Sequence, residues 1–206
     1  MPSVDRARIE AAVSEILAAI GEDGAREGLV ETPRRVAESY AELFAGVGSD
    51  PAEALGATFE AAPFEAVPGE AVRGDAQPVL LRDITFRSMC EHHLLPFEGV
   101  VHAAYLPGDA LAGLGGIVSV IESASSRPQL QERLTDDIAE ALERGLGARG
   151  VLVVIEAKHG CVSARGRRQA LSTTVTLAAR GELSEPAARA ELIALLGTRP
   201  GDGGTR

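Results

Sequence analysis

The chain has 206 residues, 45% of them hydrophobic, which is enough for one core with an N-terminal appendage. Thirty Asp and Glu against twenty Lys and Arg leave a net charge of −10, which argues against a nucleic-acid-binding face because counterion release needs clustered cations. Two cysteines make no disulfide framework, the N-terminal MPSVDRARIE has no apolar signal core, and no run approaches the roughly 18 apolar residues of a membrane span; a cytoplasmic protein is expected.

The stretch VDRARIEAAVSEILAAI places Ile9, Val13, Ile16, Leu17 and Ile20 at helical spacing. A second helix is predicted over ETPRRVAESYAELFAGV, with Thr32 as N-cap, Pro33 in the first turn, and Val36, Tyr40, Leu43 and Phe44 as its apolar stripe. Together they form an N-terminal helical extension over 1–48. Residues 49–78, rich in Ala, Pro, Glu and Gly without sustained periodicity, read as a linker with room for one short helix. Strand-like runs follow at 79–88, 99–107, 150–160 and 170–180. Between the second and third lies a predicted helix, SRPQLQERLTDDIAEALERGLG, with Ser126 and Gln129 at capping-box spacing and Leu130, Leu134, Ile138, Ala141 and Leu142 on one face. The catalytic domain is thus placed at 79–196, an α+β unit of two strands, helices, then two strands in an antiparallel sheet. Its exposed edges predict an oligomer. Residues 197–206 read as a disordered tail.

The stretch SMCEHHLLPFEG places Cys90, His92 and His93 within four positions. A thiolate and an imidazole at Cys-x-x-His spacing make half of a zinc site, and a catalytic zinc takes three protein ligands with the fourth position open. Cys161, in KHGCVSARG, is the candidate third ligand. His92 and His159 each lie near a candidate ligand and suit proton transfer near neutral pH. From spacing alone two such cysteines are more often buried hydrophobes than ligands.

Several stretches carry a resemblance. SMCEHHLLPFEGVVHAAYLPGDALAGLGG, RPQLQERLTDDIA, GVLVVIEAKHGCVSARG and STTVTLAARGEL, with ETPRRVAESYAELFAGV upstream, resemble the GTP cyclohydrolase I family in order and spacing. The resemblance implies the T-fold, with subunits joining their sheets into an oligomeric barrel, commonly a decamer, and sites at subunit interfaces. It implies zinc held by Cys90, His93 and Cys161, with His92 and His159 as the acid/base pair. It also implies purine recognition by Gln131 and Glu132, with Leu114 among the substrate-binding residues. A Glu carboxylate can accept both N1–H and the exocyclic amine of guanine, a charge-assisted pair adenine cannot match. The implied reaction is hydrolysis at purine C8 with zinc activating water, loss of formate and closure to a dihydropterin.

Against the family pattern Gly-Leu-Ser-Lys-x-x-Arg this chain reads GLGGIVS: Gly115, Gly116 and Ser119 replace serine, lysine and arginine, and a family lysine falls at Glu38. Arg35 and Arg165 match retained phosphate-side positions. Each lost charged contact costs roughly 1.5–3 kcal/mol, unless Arg34, Arg87, Arg127 or Arg167 substitutes. The expectation is a zinc cyclohydrolase of this type acting on a small purine less phosphorylated than GTP. The alternatives are ordinary GTP cyclohydrolase I, forming dihydroneopterin triphosphate and formate, and a silent ligand-binding or oligomer partner.

Overall fold

The computed structural model describes residues 4–60, 77–166 and 168–197. Most of the expected linker, Arg167 and nearly all of the expected tail fall outside them. No helix among these residues is long and apolar enough to cross a membrane.

Two helices open the chain, α1 (Arg6–Ala19) and α2 (Thr32–Leu43), and they pack on each other. Asp5 caps α1 by accepting the Arg8 N–H at 3.0 Å. Nothing in α1 is fully buried, and Ile16 and Ile20 of its apolar stripe are 57% and 69% exposed. At α2 the cap residue is Glu31, without a side-chain bond, and Thr32 is already helical; Pro33 sits in the first turn as expected. Past α2, the Gly46 N–H donates to the Ser126 carbonyl at 2.8 Å, tying this appendage to the domain.

Residues 51–55 form a 3₁₀ turn that drives Leu55 into the core at 4% exposure, and a short strand β1 (Thr58–Glu60) follows. The main sheet is built from β2 (Val79–Cys90), β3 (Pro96–Leu106), β6 (Gly150–His159) and β7 (Thr174–Gly181), all antiparallel neighbours in that order. The two-strand, helix, two-strand order expected of the T-fold is the one observed. Between β3 and β6 lie β4 (Ala110–Ala112), which pairs with β1, then α3 (Leu114–Ser125), β5 (Pro128–Gln129) and α4 (Gln131–Leu146). After β6 come a single helical turn, α5 (Gly160–Ser163), and, past β7, α6 (Pro186–Gly197).

The sequence reading placed one helix where the chain forms two, and the capping box at Ser126 is not used. The Ser126 N–H closes α3 on the Glu122 carbonyl, and Pro128 disfavours helix at the residue before it. Residues 128–129 instead pair with Met89 and Cys90 in parallel, so the sheet is antiparallel but for this short fifth strand. Gln129 is turned inward instead, its amide nitrogen donating to Ala124 O at 3.1 Å and Asp137 Oδ2 at 2.8 Å, while the Ser126 N–H that a capping box would satisfy is already held by Glu122. The cap residue of α4 is Leu130, without a side-chain bond, and the helix ends on Gly147 in the left-handed conformation.

Strand alternation assigns the two faces. Phe86, Phe97, Val101, Ala103, Tyr105, Val151, Val153 and Ile155 point toward α3 and α4 and form one core with Ile117, Ile121, Leu134, Ile138 and Leu142. On the other face a smaller cluster of Ala104, Leu152, Leu183 and Leu192 seats α6. The core therefore clamps the first turn of α4 against the far ends of β2 and β6, where the chemistry-bearing side chains lie.

Candidate active site

β2 ends on Cys90, and the chain reverses through 91–95 into β3. The Cys90 carbonyl accepts from Leu94 N at 2.8 Å and His93 N at 3.3 Å, and Cys90 N donates back to Leu95 O at 2.9 Å. Leu94 takes φ 50° to close this turn. The tightness returns His93 to the side of Cys90, with Nδ1 3.9 Å from Sγ, while His92 projects outward with its ring 6.1 Å from that of His93.

Cys161 arrives from the opposite direction, on α5 immediately after β6. Gly160 makes this possible: a β-carbon there would lie 2.7 Å from the Pro96 carbonyl at the start of β3. The ligand atoms of Cys90, His93 and Cys161 all lie within 4.8 Å of one another. Around a tetrahedral zinc such atoms stand about 3.6–3.8 Å apart, given Zn–S near 2.3 Å and Zn–N near 2.0–2.1 Å, so a small contraction suffices. Burial first, and Cys90 alongside second, push the Cys161 thiol above its ordinary range. A thiol whose proton is held more tightly by burial and by a neighbouring sulfur belongs to a donor set that a soft divalent cation would relieve. The residues present fit zinc.

Beside this cluster lies His159, paired across the sheet with Phe97. The two rings stack at 4.8 Å and an interplanar angle of 1°. Burial holds the His159 pKa below the usual imidazole value, with Glu132 partly opposing it. His159 Nε2 lies 2.7 Å from Gln131 Oε1, in the first turn of α4. Gln131 is 1% exposed, and its amide nitrogen donates to Ile155 O at 3.1 Å, Thr174 O at 3.0 Å and Thr176 Oγ1 at 3.0 Å. Glu132, next in the chain, is exposed. Glu91 and Arg133 form an ion pair at 2.6 Å that bolts the 91–95 turn to the same helix.

The other expected residues sit farther out. Arg165 follows α5 and is exposed, near enough to lower the Cys161 pKa slightly. Leu114 opens α3 at 64% exposure, and Arg35 lies on α2. Among the described residues no hydrogen bond or ion pair joins either of these two to the cluster. Arg34 pairs with Glu31 at 2.8 Å and Glu38 at 2.6 Å, and Arg87 pairs with Glu98 at 3.3 Å. Arg127 donates to the Ser49 and Ser123 carbonyls. Gly116 packs directly beneath the Leu55 carbonyl, leaving no space for a β-carbon. Sequence reasoning did not find Phe97, Thr135 or Thr176, because their part depends on strand register, which no local pattern carries.

A Cys-x-x-His turn and a distant cysteine converging beside a half-buried imidazole, on an α+β scaffold, make a sulfur-rich donor set that could hold a metal ion, of the kind found in hydrolytic enzymes. The family model of GTP cyclohydrolase I matches residues 9–197. "GTP cyclohydrolase 1" of Leifsonia xyli subsp. xyli is 63% identical over 96% of this chain and 98% of its own length. The enzymes of that name from Rhodopirellula baltica and Streptococcus sanguinis are each 49% identical, over 94% and 88% of this chain and 80% and 92% of theirs. The chain belongs to the GTP cyclohydrolase I family and is a hydrolase acting on cyclic amidines. The apo crystal structure of the archaeosine synthase QueF-Like aligns with half of the chain at a TM-score of 0.41 and 17% identity, too distant to bear on the argument.

Proposed function

We propose that the chain hydrolyses GTP at C8 of the guanine ring, releasing formate and forming dihydroneopterin triphosphate, as a zinc-dependent cytoplasmic homo-oligomer. The observation that carries this reading is the convergence of Cys90, His93 and Cys161 within 4.8 Å, in a chain whose relatives bear that activity in their names over nearly their full length. Zinc, when held by these three residues, supplies a Lewis acid that makes water a competent nucleophile near neutral pH.

The chain's own residues do the rest. His159, neutral because it is half-buried, takes and holds a proton at an imidazole nitrogen of the purine. His92, exposed on the same turn as His93, protonates the sugar ring oxygen. The Glu132 carboxylate accepts the N1–H and N2–H of guanine, and Arg35 and Arg165 face the phosphates. Assembly is supported by the sheet edges. Among the described residues β7 is an outer strand, with Val175 and Leu177 61% and 43% exposed, and β2 is covered on its outer side only at Met89 and Cys90. Pairing these edges between subunits would bury both, and a decamer is the family's usual outcome.

One observation favours a second reading, a substrate with fewer phosphates. Gly116 stands where the family has a lysine, and the Leu55 carbonyl fills the space. Glu38, at another family lysine, holds Arg34, and Arg87 and Arg127 are engaged elsewhere. Initial rates with GTP, GDP, GMP, guanosine and guanine, followed by loss of purine absorbance and by formate, decide the matter. GTP at least tenfold more efficient than the others establishes the first reading; a flat or rising series from GTP to guanosine establishes the second. Stoichiometric zinc without turnover of any of them refutes both and leaves a silent binding partner.

A further inference from the structure

The hydrogen bonds around Gln131 have only one consistent direction. Two of the three groups that meet its amide nitrogen, Ile155 O and Thr174 O, are backbone carbonyls, which only accept. An amide turned the other way would set its own oxygen about 3 Å from both, so the nitrogen must face the sheet and Oε1 must face His159. The third partner agrees. The Thr135 hydroxyl donates to the Gln131 backbone carbonyl at 2.7 Å, so in the 2.7 Å contact between Thr135 and Thr176 it is Thr176 that donates. A lone pair of Thr176 Oγ1 is then left toward the amide nitrogen, as observed at 3.0 Å. An oxygen acceptor 2.7 Å from His159 Nε2 demands a proton on that nitrogen. The Phe97 ring, stacked parallel on the imidazole, fixes its plane.

We infer that Gln131 is a positioning residue that keeps a proton of His159 on Nε2, leaving Nδ1 as the nitrogen that exchanges a proton with the substrate. The inference rests on the reading of His159 as an acid/base group. It replaces direct purine recognition by the Gln131 side chain, since both amide hydrogens are spent on the sheet and the residue is 1% exposed. The polarity is set by the main chain of β6 and β7, so it does not depend on the ligand. A wrong or mixed tautomer would leave part of the population with Nδ1 protonated and unable to accept.

The test is the ¹⁵N spectrum of the full, metal-loaded assembly labelled at histidine, at about pH 8 where imidazoles are neutral. The His159 signals are identified by their loss in His159→Asn. The expected result is one tautomer, with Nδ1 at the unprotonated position and Nε2 at the protonated one, becoming a mixture in Gln131→Met. A mixed or Nδ1–H ring in the unaltered protein overturns the inference, and so does an unchanged ring in Gln131→Met. The unaltered protein decides the tautomer even where that variant fails to assemble. Kinetics give a second readout: Gln131→Met should lower kcat roughly 10- to 10³-fold, within the 10²–10⁴-fold that a positioned acid or base supplies, while KM stays within about twofold. A raised KM with kcat intact would make Gln131 a recognition residue and overturn the proposal. Because the tautomer is read without substrate, the expected spectrum in a protein that turns over no guanine derivative would refute the proposed reaction and leave the Gln131–His159 geometry standing.

Discussion

Gly115 and Gly116 are neighbours in the first turn of α3, yet alanine should act on them with opposite signs. A β-carbon at Gly115 meets nothing within 4 Å, so Gly115→Ala keeps the helix and reduces the freedom of the unfolded chain. That gains up to about 1 kcal/mol. At Gly116 the β-carbon would fall more than an ångström inside normal contact with the Leu55 carbonyl, a backbone atom that cannot rotate away. The 51–55 turn is also pinned from elsewhere. Leu55 is buried against Gly145, and Asp50, just before the turn, holds Arg144 through two bonds of 2.7 Å. Overpacking of this kind costs about 1–3 kcal/mol, so after a helix gain of about 1 kcal/mol Gly116→Ala should lose up to about 2 kcal/mol net. Urea unfolding followed by circular dichroism, at one protein concentration for all variants, measures both. At roughly 2–4 °C per kcal/mol the melting temperatures should separate by several degrees. Equal stability of the two variants, or a Gly116→Ala protein above the unaltered one, would refute the placement of the turn on the helix. The same contact means that Gly116→Lys should fail for packing reasons before it tests any phosphate contact. Glu38→Lys and Ser119→Arg are the cleaner substitutions for that purpose.

Metal analysis after exhaustive dialysis should find about one zinc per chain in the unaltered protein and in His92→Ala, and far less in Cys161→Ser. Normal zinc retention in Cys161→Ser would remove that residue from the site. Acid stability should report on Asp50, whose carboxyl is pulled to about 2, first by the Arg144 guanidinium and then by the Ala52 N–H. A depressed carboxylate stabilises the fold above its unfolded pKa, near 3.9, and loses that contribution as pH falls toward 2. Asp50→Asn should therefore be the less stable protein at pH 6 and should converge on the unaltered one between about pH 4 and 2. A constant difference across that window would show that the ion pair does not carry the effect.

Much of the scaffold is legible in residue order. The four long strands announce themselves through β-branched runs, and the Leu134, Ile138, Leu142 stripe marks α4. What escapes is instructive at three places. α3 has its own stripe in Ile117, Val120, Ile121 and Ala124, all fully buried, but the glycines at its head mask it. Ser126 and Gln129 satisfy the capping spacing, yet Pro128 and pairing with β2 outweigh that local preference. In the site, the spacing of Cys90 and His93 is a local signal, whereas the approach of Cys161 needs the β3–β6 register and Gly160. In the network of Gln131, Thr135, Thr176 and Phe97 only the Thr135–Gln131 bond is local to α4; its links to β3, β6 and β7 come from tertiary pairing, which no window of sequence contains.

The register of the central strands bears on how the protein folds. Cys90 ends β2 and Cys161 follows β6, with β3 lying between the two strands. The three donor atoms meet only after a short hairpin closes and a strand some fifty residues later docks with Phe97 opposite His159. The hairpin is a fast, local event, but the docking of β6 closes a long loop and should come late. A slip of one residue in β6 would turn His159 to the opposite face of the sheet and carry Ile155 O away from Gln131. A slipped chain would then offer a metal only Cys90 and His93, too few to hold it firmly. If the three residues hold zinc as proposed, tight metal capture would distinguish correctly threaded chains from near misses.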